Sequence, residues 1–248
     1  MKYNHPRFLF RRFLVMRRIK RGDHFLEIGP GNLSLALDLL TKFNRGTLMD
    51  FNTTDVQEIY DEIADVQKQK LKLIIADFTE YNQFDEKFDC VVSCEVIEHI
   101  EADRAFLKRT NDLLTKGGQL IISVPARQKY WSRDDEIVGH FRRYEKQELY
   151  DKLIEVGYSE IRVESYGFPF INIVRLARVA LAKIQYREKS TWDRKKKSQK
   201  SDFIIDRKSY QWIAYLLNKY SLYPFCLFAA LFYNLDLSEG YVASAIKY

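Results

Sequence analysis

Between residues 24 and 166, short apolar runs alternate with segments of helical period, and this alternation limits the fold more than any other feature of the chain. "HFLEIG", "GTLMDF", "LKLIIADF", "FDCVVSCE" and "GQLIISVPA" read as strands, the last stopped by Pro125. Between them lie "NLSLALDLLTKF", with Asn32 or Ser34 as its cap, then "DVQEIYDEIADVQKQ", then "EVIEHIEADRAFLKRTNDLLTKGG", expected to end at its paired glycines. Helical "EKQELYDKLIEVGY" and strand-like "SEIRVESY" follow. Runs such as "LIIA" and "LIISV", apolar on both faces, suit a sheet covered on both sides. The pattern predicts a doubly wound α/β sheet. The chain has 248 residues, 46% of them hydrophobic, enough for one core and an elaboration.

Both ends depart from the pattern. Residues 1–23 carry a basic amphipathic helix, with Leu9, Phe10, Phe13 and Leu14 among Arg7, Arg11, Arg12, Arg17 and Arg18. Its basic face suits solvent, an anionic lipid surface or the cover of a substrate. Residues 24–167 form the expected core, 168–240 a helical insertion, and "YVASAIKY", at 241–248, a returning strand. The insertion holds a basic helix near 170–187, a lysine-rich connector and an aromatic stretch. The uncharged part of that stretch, Ser221 to Leu235, contains Pro224 and is shorter than the roughly 20 residues of a membrane span. A substrate lid or a membrane-surface element fits better. Arginines interrupt the N-terminus too often for a signal peptide, so a cytoplasmic location is expected, within reach of the inner membrane surface. The three cysteines show no metal-type spacing and read as small apolar residues. The net charge of +6 favours anionic partners without choosing among them.

In an open α/β sheet, ligands sit outside the carboxyl ends of the strands. "FLEIGPGNLS" puts Gly29 and Gly31 there, with Glu27 just before them. A dinucleotide motif favours a third glycine where this chain has Ser34. Asp50 ends the second strand and Asp77 the third. Carboxylates repel a pyrophosphate but accept hydrogen bonds from ribose hydroxyls, an exocyclic amine or an α-ammonium. The ligand expected is cationic and free of phosphate.

Together "LEIGPGN", "MDFN", "IIADF", "FDCVVSCEVIEHI" and "LLTKGGQLIISVP" resemble the class I S-adenosylmethionine-dependent methyltransferases, in the small-molecule branch that includes methyltransferase types 11 and 12 and the quinone-biosynthesis O-methyltransferases. The resemblance implies a Rossmann-like sheet of seven strands, the last antiparallel, with the helical insertion before it. It places Gly29 and Gly31 against the methionine part of S-adenosylmethionine and Glu27 at its ammonium group. It places Asp50 on the ribose with Phe51 beside the adenine, and Asp77 at the adenine amine with Phe78 stacking nearby. Ser93 and Glu95 would floor the methyl-transfer site. The implied acceptor is a small or lipid-linked molecule, attacking through oxygen. Nucleic acid is disfavoured, because the motifs of base methyltransferases are missing. A nicotinamide-dependent reductase on the same sheet and a non-catalytic relative are the rival readings.

"YWSRDDEIVGHFRRYEKQEL" follows the fifth strand and resembles a segment of bacterial methyltransferases. His140 is the candidate general base, with loop anchoring as its alternative role. Trp131, Arg142, Arg143 and Tyr144 are the candidate substrate contacts, although one arginine is expected to pair with Asp134, Asp135 or Glu136. Glu95, Glu98 and His99 stand at i, i+3 and i+4, a spacing open to a divalent metal. Cofactor contact by Glu95 and helix contacts by the other two explain it without one, and no metal is assigned.

Overall fold

The computed structural model describes residues 5–175 and 218–248. The lysine-rich connector and the basic helix beyond residue 175 lie outside the described residues. Seven strands form one sheet: β1 (His24–Ile28), β2 (Arg45–Asp50), β3 (Leu71–Ile75), β4 (Phe88–Cys94), β5 (Leu114–Pro125), β6 (Tyr158–Ser165) and β7 (Gly240–Lys247). Their order is β3-β2-β1-β4-β5-β7-β6. β1 to β5 pair in parallel, whereas β7 runs antiparallel to both β5 and β6. The chain winds from β1 to one side through β2 and β3, then crosses to β4 on the other. The crevice between β1 and β4 is therefore the switch point of the sheet.

Strand alternation divides the core. Phe25, Leu48, Val92 and Ile121 face α1 (Pro6–Arg18) and α2 (Ser34–Leu39). Leu26, Ile28, Val91 and Ile122 face α5 (Asp103–Leu113) and α7 (Lys146–Glu155). The first face also takes Leu222, Cys226 and Ala229, from around α8 (Tyr223–Ala230), beside Leu9, Phe10 and Leu14 of α1. Phe10 stacks on Phe170 with centroids 5.8 Å apart, and Phe13 meets Tyr223 edge-on. The N-terminal helix and the described part of the insertion thus form one layer. Pro224 sits in the first turn of α8, where a missing N–H costs nothing. Among the described residues, no helix is long and apolar enough to cross a membrane.

Two expected helices are broken. "DVQEIYDEIADVQKQ" divides into α3 (Thr53–Glu62) and α4 (Asp65–Lys68), because Ile63 and Ala64 are extended. The segment from Glu95 is not one helix to the paired glycines. Glu95 takes a φ of +58°, which no α-helix accommodates, and a 3₁₀ turn (Ile97–His99) precedes α5. Gly117 and Gly118 lie within β5, where the pairing jumps from Phe88–Leu114 to Cys90–Gln119. The irregular stretch takes up the extra residues at the positive φ of Gly117. The basic face of α1 is likewise not left to solvent: Arg12 pairs with Asp38 and Arg18 with Glu164.

Candidate functional site

The turn after β1 is built for close approach. Gly29 has a φ of +72°, and a Cβ there would stand 2.5 Å from Val96 Cγ2. Gly31 also has positive φ, but a Cβ there would meet nothing within 4 Å. The first glycine closes the turn against β4, and the second opens onto space that a ligand can enter. Asn32 Oδ1 accepts the Ser34 N–H and starts α2.

Glu27 is buried in the middle of the sheet at 3% exposure, and its Oε2 has no hydrogen-bond partner. Burial raises its pKa to about 8, with Arg11 opposing and Asp38 and Asp50 adding to the rise. Asp50 at the end of β2 is also raised by burial, an effect restrained by the backbone N–H groups of Asn52, Gly31 and Phe51. Phe51 beside it is 37% exposed, so its ring is free to meet a flat ligand. An orphaned carboxylate, an open glycine and a second acid one strand away fit an ammonium and a pair of hydroxyls. These residues would hold S-adenosylmethionine.

At β3 the expectation holds less well. Asp77 Oδ1 accepts from both the N–H and the hydroxyl of Thr79, at 2.9 and 2.6 Å, which leaves its other oxygen for a ligand. Phe78 is 5% exposed and packs 4.9 Å from Phe106, with the Arg109 guanidinium over its ring. It is a core side chain rather than an open stacking surface.

Ser93 near the end of β4 is 1% exposed, and its Oγ lacks a partner. Glu95 is engaged. Arg7 Nη2 lies 2.7 Å from its Oε2 and Arg11 Nη1 3.5 Å from its Oε1, while the Ser123 hydroxyl donates to Oε1 at 3.1 Å. Arg7 also donates to the Tyr166 hydroxyl. Burial alone would raise the Glu95 pKa, but Arg7 and Arg11 outweigh it and bring it to about 2. One helical turn apart, Arg7 and Arg11 therefore cover the floor of the site. Sequence reading missed them as site residues; their i, i+4 spacing was the available signal.

The loop after β5 builds a second cluster. Ser132 and Asp135 form a capping box that starts α6 (Arg133–Val138). Gly139, with a φ of +82°, ends the helix and turns His140 back onto it. His140 Nδ1 then donates to Asp135 Oδ1 at 2.9 Å, and Arg143 Nε donates to the same oxygen at 2.8 Å. Burial opposes ionisation of Asp135, but His140 and Arg143 outweigh it and hold the pKa low. His140 Nε2 faces Glu98 Oε1 at 3.8 Å, and the His99 ring meets the His140 ring edge-on with centroids 4.8 Å apart. Glu98, His99 and His140 thus come together, whereas the sequence grouped Glu95 with the first two. Burial raises the Glu98 pKa well above its ordinary value and lowers that of His99 to about 3.

Most of the expected substrate contacts have structural partners instead. Arg143 is 3% exposed and held by Asp135. Arg142 Nη1 lies 2.7 Å from Asp103, and its Nη2 donates to the Glu101 carbonyl. Tyr144 is fully buried, its hydroxyl donating to Asp103 at 3.2 Å. Both arginines pair with carboxylates and Tyr144 is hydrogen-bonded within the fold, so these residues shape the loop. Trp131 and Arg142 are half-buried, whereas Arg143 and Tyr144 are buried. A cavity of about 770 Å³ opens beside α7 and β6, lined by Glu145, Tyr150 and Arg162, at the sheet edge four strands from β1. It contains none of the expected site residues.

Residues 26–122 match the family model described as a methyltransferase domain. The (S)-coclaurine N-methyltransferase of Papaver somniferum is 26% identical over 112 residues, 44% of this chain and 32% of that protein. Phosphoethanolamine N-methyltransferase 2 of Haemonchus contortus, solved with S-adenosyl-L-methionine, superposes with a TM-score of 0.58 at 16% identity, over 95% of this chain and 52% of that one. The [4+2]-cyclase SpnF superposes with a TM-score of 0.61 at 15% identity, over 95% of this chain and 79% of that one. The chain thus spans about a third of its curated relative and about half of the Haemonchus enzyme.

Sheet order, glycine turn and domain match together resemble those of the class I S-adenosylmethionine-dependent methyltransferases. The match to the methyltransferase domain runs from β1 through most of β5, and so spans the crevice described above.

Proposed function

We propose that the protein transfers a methyl group from S-adenosylmethionine to an oxygen of a small or lipid-linked acceptor. The observation that carries this reading is the Glu27 carboxylate, buried and half-unpartnered beside the open Gly31. A buried carboxylate without a partner is expensive unless a ligand completes it. Glu27 meets the α-ammonium, Asp50 the ribose hydroxyls, Phe51 one side of the adenine and Asp77 its amine. The bound sulfonium supplies an activated methyl for in-line displacement. The protein's main contribution is alignment of acceptor and methyl, which in favourable cases is worth roughly 7–11 kcal/mol.

The acceptor side lies between β4 and the 126–144 loop. Asp135 fixes His140 with its proton on Nδ1, so Nε2 is the basic nitrogen. An oxygen acceptor must lose its proton during transfer, and the cluster of His140, Glu98 and His99 is where that proton is drawn off. α1 and the described part of the insertion cover this side, and their aromatic layer suits an acceptor with an apolar portion, including a lipid-linked one. The curated relative is named for nitrogen methylation. The oxygen reading rests on the buried histidine cluster of this chain. The test is transfer of a labelled methyl group into cell extract separated into lipid, polysaccharide, small-molecule and nucleic-acid fractions. Label in the lipid or small-molecule fraction, on a base-stable ether, supports the reading. Label in nucleic acid, or on an amine, overturns the acceptor assignment.

A further inference from the structure

We propose that Glu98, His99 and His140 bind one divalent transition-metal ion. The argument starts from an unmet demand. Glu98 is fully buried, and no side chain donates a hydrogen bond to either of its oxygens. Its nearest candidate, His140 Nε2 at 3.8 Å, is too far for a hydrogen bond. His99 Nδ1 is likewise buried without a partner, and the ring is held through a backbone hydrogen bond to Gly139. His140 presents the Nε2 lone pair because Asp135 takes the Nδ1 proton. Three donors, two imidazole nitrogens and a carboxylate oxygen, thus converge with ligand atoms all within 4.8 Å of one another.

A cation at the centre satisfies all three at once. Metal–ligand bonds near 2.1 Å in a tetrahedral site set donors about 3.4 Å apart. Imidazole with carboxylate suits zinc, cobalt, manganese or iron(II) rather than calcium or magnesium. The support around the donors is of the kind such sites use: a carboxylate–histidine pair, here Asp135 to His140, with Asp135 itself anchored by Arg143 and Ser132. Glu95 is not part of the set, because Arg7 and Arg11 engage it. The metal-free expectation from sequence is thereby revised, and the ligand set differs from the i, i+3, i+4 triad.

Three protein ligands leave positions open, as in catalytic rather than structural zinc sites. Here the inference rests on the methyl-transfer reading. The acceptor hydroxyl, bound at an open position, becomes acidic enough to release its proton to solvent. Its oxygen lone pair then forms the new O–C bond while the S–C electrons remain on sulfur. With the ion bound, His140 serves as a ligand; without it, Nε2 is the free base described above.

The test uses the full-length protein, freed of any affinity tag and stripped with a chelator. Cobalt(II) is titrated while visible d–d absorption is followed, with zinc as competitor. Saturation at one ion per chain is expected, and affinity should fall at least about a hundredfold in Glu98→Gln and in His99→Gln. S-adenosylhomocysteine affinity, measured on the same samples, should be retained and shows that the variants fold. No absorption band in the wild type, or unchanged cobalt affinity in both variants, overturns the site. Cobalt binding without S-adenosylhomocysteine binding keeps the ion site and removes the methyl-transfer reading. The converse removes the ion site alone.

Discussion

The two halves of the strand-end crevice are built on opposite principles. At β1 and β2 the acids form no ion pair among the described residues: Glu27 keeps an unpartnered oxygen, and Asp50 is restrained by backbone N–H groups. At β4 and β5 nearly every charge has an opposite within the fold, from Arg7 and Arg11 on Glu95 to Arg143 on Asp135 and Arg142 on Asp103. The first half is arranged to receive a charged ligand. The second is arranged to hold a loop and a helix in place, with the Glu98 carboxyl and His99 Nδ1 as the unpartnered exceptions.

Substitutions should separate the halves by what they change. Arg143→Ala takes one charged partner from buried Asp135 and leaves it His140 and Ser132, and the expected loss is about 1–3 kcal/mol of stability, read as a lowered denaturation midpoint. S-adenosylhomocysteine affinity should survive in the folded fraction. Asp50→Ala does the opposite: stability holds, and affinity drops by about a hundredfold or more, since hydrogen bonds to a charged group contribute about 1.5–3 kcal/mol each. Calorimetry checks both, and an Arg143 variant that lost affinity but not stability would reverse the assignment of the halves.

Glu27 sharpens the contrast through pH. Its carboxyl is raised to about 8 in the free protein, and an ammonium ligand requires the ionised form. Binding should therefore strengthen as pH rises towards 8 and level off above it, weakening about tenfold per unit below. Glu27→Gln should bind more weakly at pH 8 and show a flat profile. The smallest effect is expected at Arg142→Ala. Its partner Asp103 keeps Lys152, so the cost should be about 1 kcal/mol of stability, with no change in cofactor affinity. A larger loss of turnover than of stability there would restore Arg142 as a substrate contact.

The same division explains what the sequence could show. The strand–helix alternation and the glycine turn were legible because they depend on local pattern: period, apolar runs and residues at strand ends. Glu27 and Asp50 were legible because their partners are backbone or absent, so residue type and position were enough. The pairing of one arginine with the acids at 134–136 was legible, as Arg143 on Asp135, whereas the Asp103 contacts of Arg142 and Tyr144 were not, because Asp103 lies on another element. Phe78 looked like a ligand contact until Phe84 and Phe106 closed over it. Arg7 and Arg11 appeared as one solvent-facing set with their neighbours. Only the packing of α1 on the strand ends turned them inward.

The central claim is that the orphaned carboxylate at the end of β1 is completed by a cationic ligand. The direct measurement is calorimetry of S-adenosylhomocysteine binding at pH 7 in buffers of different ionisation enthalpy. With the Glu27 pKa near 8 in the free protein, binding should release close to one proton in the wild type and none in Glu27→Gln. Binding without proton release in the wild type, or no binding at all, would contradict the account.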